Sequence, residues 1–446
     1  MKKAIAGLGV IVVLVLLGFA GFRALMRGTG AGKISKTVPA AEGAPVDAHP
    51  SFLFGRVATV DGTTYEGRLR WGGDQEAFWG NYFNGVKSAN SWAASVPAER
   101  LPKERRPIAI FGLEIWQRDR PMNLRRLFMS RFGDIARMES QGREVSVTLK
   151  SGGEVKLNRF EASDFDDGVR VWDRRRGVVD LDSLRIRSIE FLEPTGSGGA
   201  PNRLFGTVRT RAGSEFTGFV QWDREQCLGA DELHGRDRNV RFDAIRWIGR
   251  RSENSAFVKL RDGGEVVLSE TREVGRGNRG IYVDDPRYGR VLVSWDAFDR
   301  FDLSAGGAGP SYSDFQRGGP IRGSATMRGG RRLAGRLVYD LDESEVTETL
   351  DAPSRGVDYT VPFGMIASVV LAGADDRGGR RARVVLHSGE VLDLEGAGDL
   401  GKDNAGMLVF VDGSERPEYV LWGEVERLDL DRPAAMYPGL VGSRGE

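Results

Sequence analysis

Gly55, Gly206 and Gly323 each open a segment in which a second glycine follows seven residues later and a third twelve residues later. The followers are Gly62, Gly213 and Gly330, then Gly67, Gly218 and Gly335. Sixteen residues after each opening glycine stands a large aromatic, Trp71, Trp222 or Tyr339. Four coincident positions in three ungapped segments define a tandem repeat, which constrains the fold more than any composition does. Val57–Val60 and Tyr65–Trp71 alternate in strand fashion around Asp61-Gly62, a turn pair. The third glycine therefore falls inside a strand. Glycine weakens a strand interior, so its recurrence there predicts a bend or a close backbone approach.

A second set of triplets follows in each copy. Val147-Thr-Leu-Lys-Ser-Gly152, Val258-Lys-Leu-Arg-Asp-Gly263 and Val384-Val-Leu-His-Ser-Gly389 each lead into Glu-Val, again strand, turn and strand. A closing signature occurs twice per copy: Phe132-Gly133-Asp134-Ile135, Phe242-Asp243-Ala244-Ile245, Trp295-Asp296-Ala297-Phe298, Phe363-Gly364-Met365-Ile366 and Trp422-Gly423-Glu424-Val425. Leu181-Asp182-Ser183-Leu184 matches its first part alone. This reads as two half-units per repeat, six modules of roughly 50 residues. The pattern resembles small β-barrels of the SH3-like or Sm-like kind in an uncharacterised bacterial envelope protein. That resemblance implies about five short strands per module, with a helical turn before the last. The competing arrangement is a six-bladed β-propeller, to which Trp172-Asp173, Trp222-Asp223 and Trp295-Asp296 would contribute, though their spacing is irregular.

The expected class is all-β, with an N-terminal transmembrane helix ahead of the three repeats. Lys2 and Lys3 precede an uncharged run from Ala4 to Phe22, which as a helix would span about 28 Å. Residues 1–27 are read as a signal-anchor, with a cleaved signal peptide and a secreted product as the alternative. Residues 28–50, rich in Gly, Ala, Pro and Ser, form a tether. The repeats then occupy 51–193, 202–303 and 320–431, separated by Gly/Pro/Ser-rich linkers and followed by a loose tail over 432–446. The bulk of the chain is expected on the extracytoplasmic, periplasmic side of the membrane.

Sixty-four basic and 63 acidic residues give a net charge of +1, so no general nucleic-acid binder is expected. A lone Cys227 excludes an intrachain disulfide and a cysteine zinc site, and the three His are scattered, so neither cofactor nor metal is expected. Cys227 and His234 lack an orienting third group. Gly275-Arg-Gly-Asn-Arg-Gly280 is followed by strand-forming Ile281-Tyr-Val rather than a helix, which removes the dinucleotide reading. Ser163-Asp-Phe-Asp-Asp-Gly168 lacks calcium-loop spacing. Lys103–Arg106 and Arg174–Arg176 read as solvated loops offset by nearby acids.

One segment stands out. Phe78, Trp79, Tyr82, Phe83 and Trp92 lie close together with Asn81 and Asn84, and the second and third repeats carry no matching aromatics. A stacking surface for a sugar or peptide is the functional expectation, and a mini-core closing the first repeat is the structural one. With no catalytic constellation visible, the expected function is a non-enzymatic envelope scaffold or binding protein. Its membrane contact would be the N-terminal helix, and an envelope protein or glycan its partner. The alternative is a carbohydrate-active hydrolase using paired carboxylates.

Overall fold

A computed structural model describes residues 49–72, 75–101, 103–110, 113–121, 126–161, 163–194, 202–306, 309–372, 381–414 and 416–434, with 103–110 and 113–121 as backbone. The expected anchor (1–27), nearly all of the tether, and the tail beyond 434 lie outside these residues. Among the described residues no helix is long and apolar enough to cross a membrane.

The regular structure of the described residues is mainly antiparallel strand, joined by turns and short helical turns. The first repeat contains β1 (Phe54–Thr59), β2 (Thr64–Trp71), β3 (Tyr82–Val86), β4 (Lys103–Ile110), β5 (Leu113–Pro121), β6 (Leu127–Arg131), β7 (Ile135–Gln141), β8 (Glu144–Leu149), β9 (Glu154–Asn158), β10 (Val169–Asp173), β11 (Gly177–Leu181) and β12 (Ile186–Phe191). The second contains β13 (Phe205–Thr210), β14 (Glu215–Gln221), β15 (Glu232–His234), β16 (Asn239–Arg241), β17 (Ile245–Ser252), β18 (Ser255–Leu260), β19 (Glu265–Ser269), β20 (Ile281–Asp285), β21 (Gly289–Val293) and β22 (Phe298–Leu303). The third contains β23 (Arg322–Met327), β24 (Arg332–Val338), β25 (Thr349–Ser354), β26 (Val357–Pro362), β27 (Ile366–Leu371), β28 (Arg381–Leu386), β29 (Val391–Glu395), β30 (Met407–Val411), β31 (Glu418–Val420) and β32 (Val425–Leu430).

The three repeats share one strand order. In the first it is β11-β10-β2-β1-β12-β7-β8-β9, in the second β21-β20-β14-β13-β22-β17-β18-β19, and in the third β31-β30-β24-β23-β32-β27-β28-β29. The second sheet is lengthened to ten strands because β26 and β25 of the third repeat add to β21. The expected threefold repeat is thus present in the pairing itself. The six separate modules are not. In each copy the first strand pairs with the last one (β1 with β12), and the last pairs with the strand closing the first half (β12 with β7). The two halves exchange strands, so neither closes a barrel, and sheets of eight or ten strands are not four-stranded propeller blades. The halves remain recognisable, because the six strands β2-β1-β12-β7-β8-β9 lie symmetrically about the β12/β7 pair and short 3-10 turns at Phe132–Asp134, Phe242–Ala244, Phe363–Met365 and Trp422–Glu424 enter β7, β17, β27 and β32.

The recurrent glycines explain how so long a sheet folds over its own core. Gly55 pairs with Gly67, Gly206 with Gly218 and Gly323 with Gly335, across the first hairpin of each repeat. A Cβ at Gly218 would lie 2.0 Å from the Asp284 carbonyl oxygen, and one at Gly206 2.0 Å from that of Asp302. Paired glycines let flanking strands press onto both sides of the hairpin at one level.

Inside each bend sits the recurrent aromatic. Trp71 touches Phe83 and Phe132 at 5.5 Å between ring centroids, and Trp222 lies against Phe298 at 5.3 Å. Tyr339 meets Phe363 and Trp422. The polar tip of each ring is satisfied by a carbonyl of the helical turn that precedes β10, β20 or β30: Trp71 Nε1 donates to the Asp164 carbonyl, Trp222 Nε1 to that of Glu273 (3.0 Å) and the Tyr339 hydroxyl to that of Asp399 (2.8 Å). A buried ring can keep its polar atom only with such a partner.

The linker expected over 304–320 is not loose throughout. Phe315 is buried in the first repeat's core against Gly133, Tyr312 packs on Phe78 at 4.8 Å, and Lys150 Nζ donates to both their carbonyls.

Candidate functional site

Hydrogen bonding shows which parts of the aromatic segment are peculiar to the first repeat. Asn84 N donates to the Asp164 carboxylate, His234 N to Glu273 and Asp351 N to Asp399, so Asn84, His234 and Asp351 are equivalent. The residues before them, Phe83, Leu233 and Leu350, are all fully buried. Asn81 Oδ1 accepts the Glu76 and Ala77 amides, Asp231 those of Cys227 and Leu228, and Glu348 those of Ser344 and Glu345. The segment through Phe83 therefore belongs to the shared repeat, offset by a single residue. The true insertion is the stretch between β3 and β6.

The expected stacking surface does not form from Phe78, Trp79, Tyr82 and Phe83, which are all buried. Phe83 packs on Trp71, and Trp79 on Phe315. Tyr82 lies beneath the Arg290 guanidinium at 4.0 Å, and Arg290 also donates to the Gly80 carbonyl at 2.9 Å, which docks the second repeat on the first. Burying these rings offsets the cost of ordering the segment, whereas an exposed cluster would not. Asn81 Oδ1 is taken by the Glu76 and Ala77 amides, and the Asn84 side-chain amide donates to the Asp164 carboxylate at 2.9 Å. Trp92, in the insertion, is half-buried against Phe410 of the third repeat, 6.0 Å between centroids.

The insertion reaches the third repeat through three layers. The innermost is charged: Lys87 Nζ donates to Asp342 (2.7 Å) and Glu348 (2.9 Å), and Arg126 pairs with Asp340 (3.2 Å). Burial opposes the Lys87 charge, but Glu348 and Asp342 outweigh it and hold the ammonium protonated well beyond its ordinary range. Burial pushes the Asp340 carboxyl up to about 6 against the pull of Arg126. The second layer is apolar: Val96, Trp92 and Leu101 meet Val338, Leu341, Leu408, Tyr419 and Phe410. Asp342 and Glu348 are thus counter-ions to one lysine.

The outer layer is an open cleft of about 880 Å³ between the insertion and the third repeat. Ser95, Pro97 and Arg100 form one wall; the β23–β24 turn with Arg328 and Arg331, together with Arg416 and Tyr419, forms the other. Arg100 donates to the Tyr419 carbonyl at 3.1 Å, its guanidinium 5.1 Å from that ring. Arg331 pairs with Glu418. Arg328 and Arg416 are exposed, and no ion pair among the described residues engages either. The corresponding corner of the second repeat, around Arg211, lacks the insertion wall. Sequence reading missed this site because its arginines lie in three separate segments.

The remaining candidates have structural roles. His234 Nδ1 bonds Glu273 at 2.9 Å, Cys227 is buried, and Gly280 leads directly into β20. The Asp164 carboxylate accepts from Asn84. Comparison of the chain with protein-family models, curated proteins and solved structures returns no match.

Proposed function

We propose that this chain is a non-enzymatic scaffold or binding protein of the cell envelope, and that its arginine-lined cleft takes an acidic glycan. The reading rests on one observation: Arg100, Arg328, Arg331 and Arg416 converge on an open cleft from two repeats, and two of them have no ion-pair partner among the described residues. The planar guanidinium fork matches carboxylate and sulfate oxygens in pairs, and the reach of the cleft suits a polymer with several such groups. Glu418 and Glu424 line the same cleft and limit its charge, which favours selection over indiscriminate polyanion binding. The apolar Ala4–Phe22 segment would anchor the protein and leave the cleft outside the cytoplasm. We read each half-unit as a strand-exchanged relative of the SH3-like or Sm-like barrel, which commonly presents its loops for binding.

The test is a titration of the full-length protein with a sulfated oligosaccharide at low and moderate salt. Binding should weaken with salt, and Arg328→Glu with Arg416→Glu should weaken it at least tenfold without shifting the melting temperature. Equal binding by that variant, or none by the native protein at low salt, sinks the reading. A reporter fused after residue 434 tests the location: activity confined to the cytoplasm would contradict it.

A further inference from the structure

The three repeats present the same outer strand in three different states. In the second repeat this strand is β21, paired on its far side with β26 of the next repeat. In the third it is β31, a strand of three residues whose Tyr419 carbonyl is taken by Arg100 of the insertion. In the first it is β11, five residues long, paired with β10 and, among the described residues, with nothing else. The registers Asp285↔Gly289 and Asp173↔Gly177 align the two longer strands residue by residue. Val291 and Val293, closed over by Tyr359 and Val357, are fully buried. The equivalent of Val293 is Leu181, which is buried, but the equivalent of Val291 is Val179, which is only partly covered. Beside it Val178 is 55% exposed. Among the described residues, therefore, no strand completes the first repeat's core at this edge, and an open edge with apolar residues invites pairing.

We propose that the missing strand is β11 of a second copy, joined antiparallel about a twofold axis through Val179. Two features of the sequence favour a copy of itself over a foreign strand. A twofold at Val179 sets it against its own copy and places Gly177 opposite Leu181, so the partly covered valine of each chain closes over the other. It also places Arg176 opposite Asp182, twice, because 176 and 182 are equidistant from 179. An isologous contact needs just such self-complementarity. The two eight-stranded sheets then become one continuous sheet, by the same kind of strand pairing that joins the second and third repeats.

Sedimentation velocity of the full-length protein, in detergent if the N-terminal segment requires it, tests the proposal. A dimer is expected at micromolar concentration. Val178→Asp sets a carboxylate opposite Asp180 of the copy and should weaken the dimer at least tenfold; because Val178 is exposed, the fold should be unaffected. Arg176→Asp should weaken it too, and Arg176→Asp combined with Asp182→Arg should restore it. Val179→Cys should give a covalent dimer on mild oxidation. A monomer throughout, a dimer indifferent to Val178→Asp, or a charge swap that fails to restore association while the melting temperature is unchanged would each overturn it.

Discussion

Gly206 and Gly218 face each other across the β13–β14 hairpin, and each is covered by a backbone carbonyl from the strand on its other side, Asp302 in β22 and Asp284 in β20. The same pair recurs in the other two repeats. Because the atoms in the way are backbone, no side-chain rotation can make room. Gly218→Val, and even Gly218→Ala, should cost about 3 kcal/mol or more. Urea unfolding measures this, and an unchanged midpoint would remove the close approach as the reason for the glycine.

Trp79 and Trp92 should respond differently to truncation. Trp79 is buried in the first core, so Trp79→Ala is expected to cost about 3–5 kcal/mol of global stability. Trp92 holds the insertion to Phe410, so Trp92→Ala should loosen that segment first. Limited proteolysis should then cut between Lys87 and Arg126 well before the rest of the chain. Protection equal to wild type would show that the insertion is held without Trp92.

Lys87 is the shared counter-ion of Asp342 and Glu348. Lys87→Met leaves two buried carboxylates without it and should cost about 3–5 kcal/mol at pH 7.5. Burial pushes the Asp342 carboxyl up to about 6 against the pull of Lys87, so at pH 4.5 it takes up a proton and the penalty should shrink. A penalty that is the same at both values would mean that charge is not what Lys87 supplies.

Asp340 gives the stability profile a sign. Its folded pKa, about 6, lies above the ordinary 3.8, so the folded state holds the proton more tightly than the unfolded chain. That contribution is complete below about pH 3.8 and is lost as pH rises through about 6. Asp340→Asn cannot titrate, its carbonyl can still accept the Ala405 amide, and asparagine tolerates the left-handed φ of 50°. The melting temperature of Asp340→Asn relative to wild type should therefore rise between pH 4 and pH 7. A constant difference would show that Asp340 does not titrate there.

The sequence by itself determined the unit of construction. Glycine spacing, turn pairs and two-residue alternation are local, so the threefold repeat, the strands and the mid-strand close approach at Gly67, Gly218 and Gly335 were all legible in it. Strand partners are not local. A last strand such as β12 or β22 carries the same alternation whether it returns to its own half or crosses to the other, and tertiary packing alone decided that it crosses. The aromatic segment illustrates the same limit. A single-residue offset hid the equivalence of Phe83 with Leu233 and Leu350, which becomes visible only where their neighbours' amides meet Asp164, Glu273 and Asp399. The arginine cleft was hidden for a related reason: Arg100 and Arg416 are brought to one surface because the insertion buries its apolar residues against the third repeat, a contact between segments hundreds of residues apart.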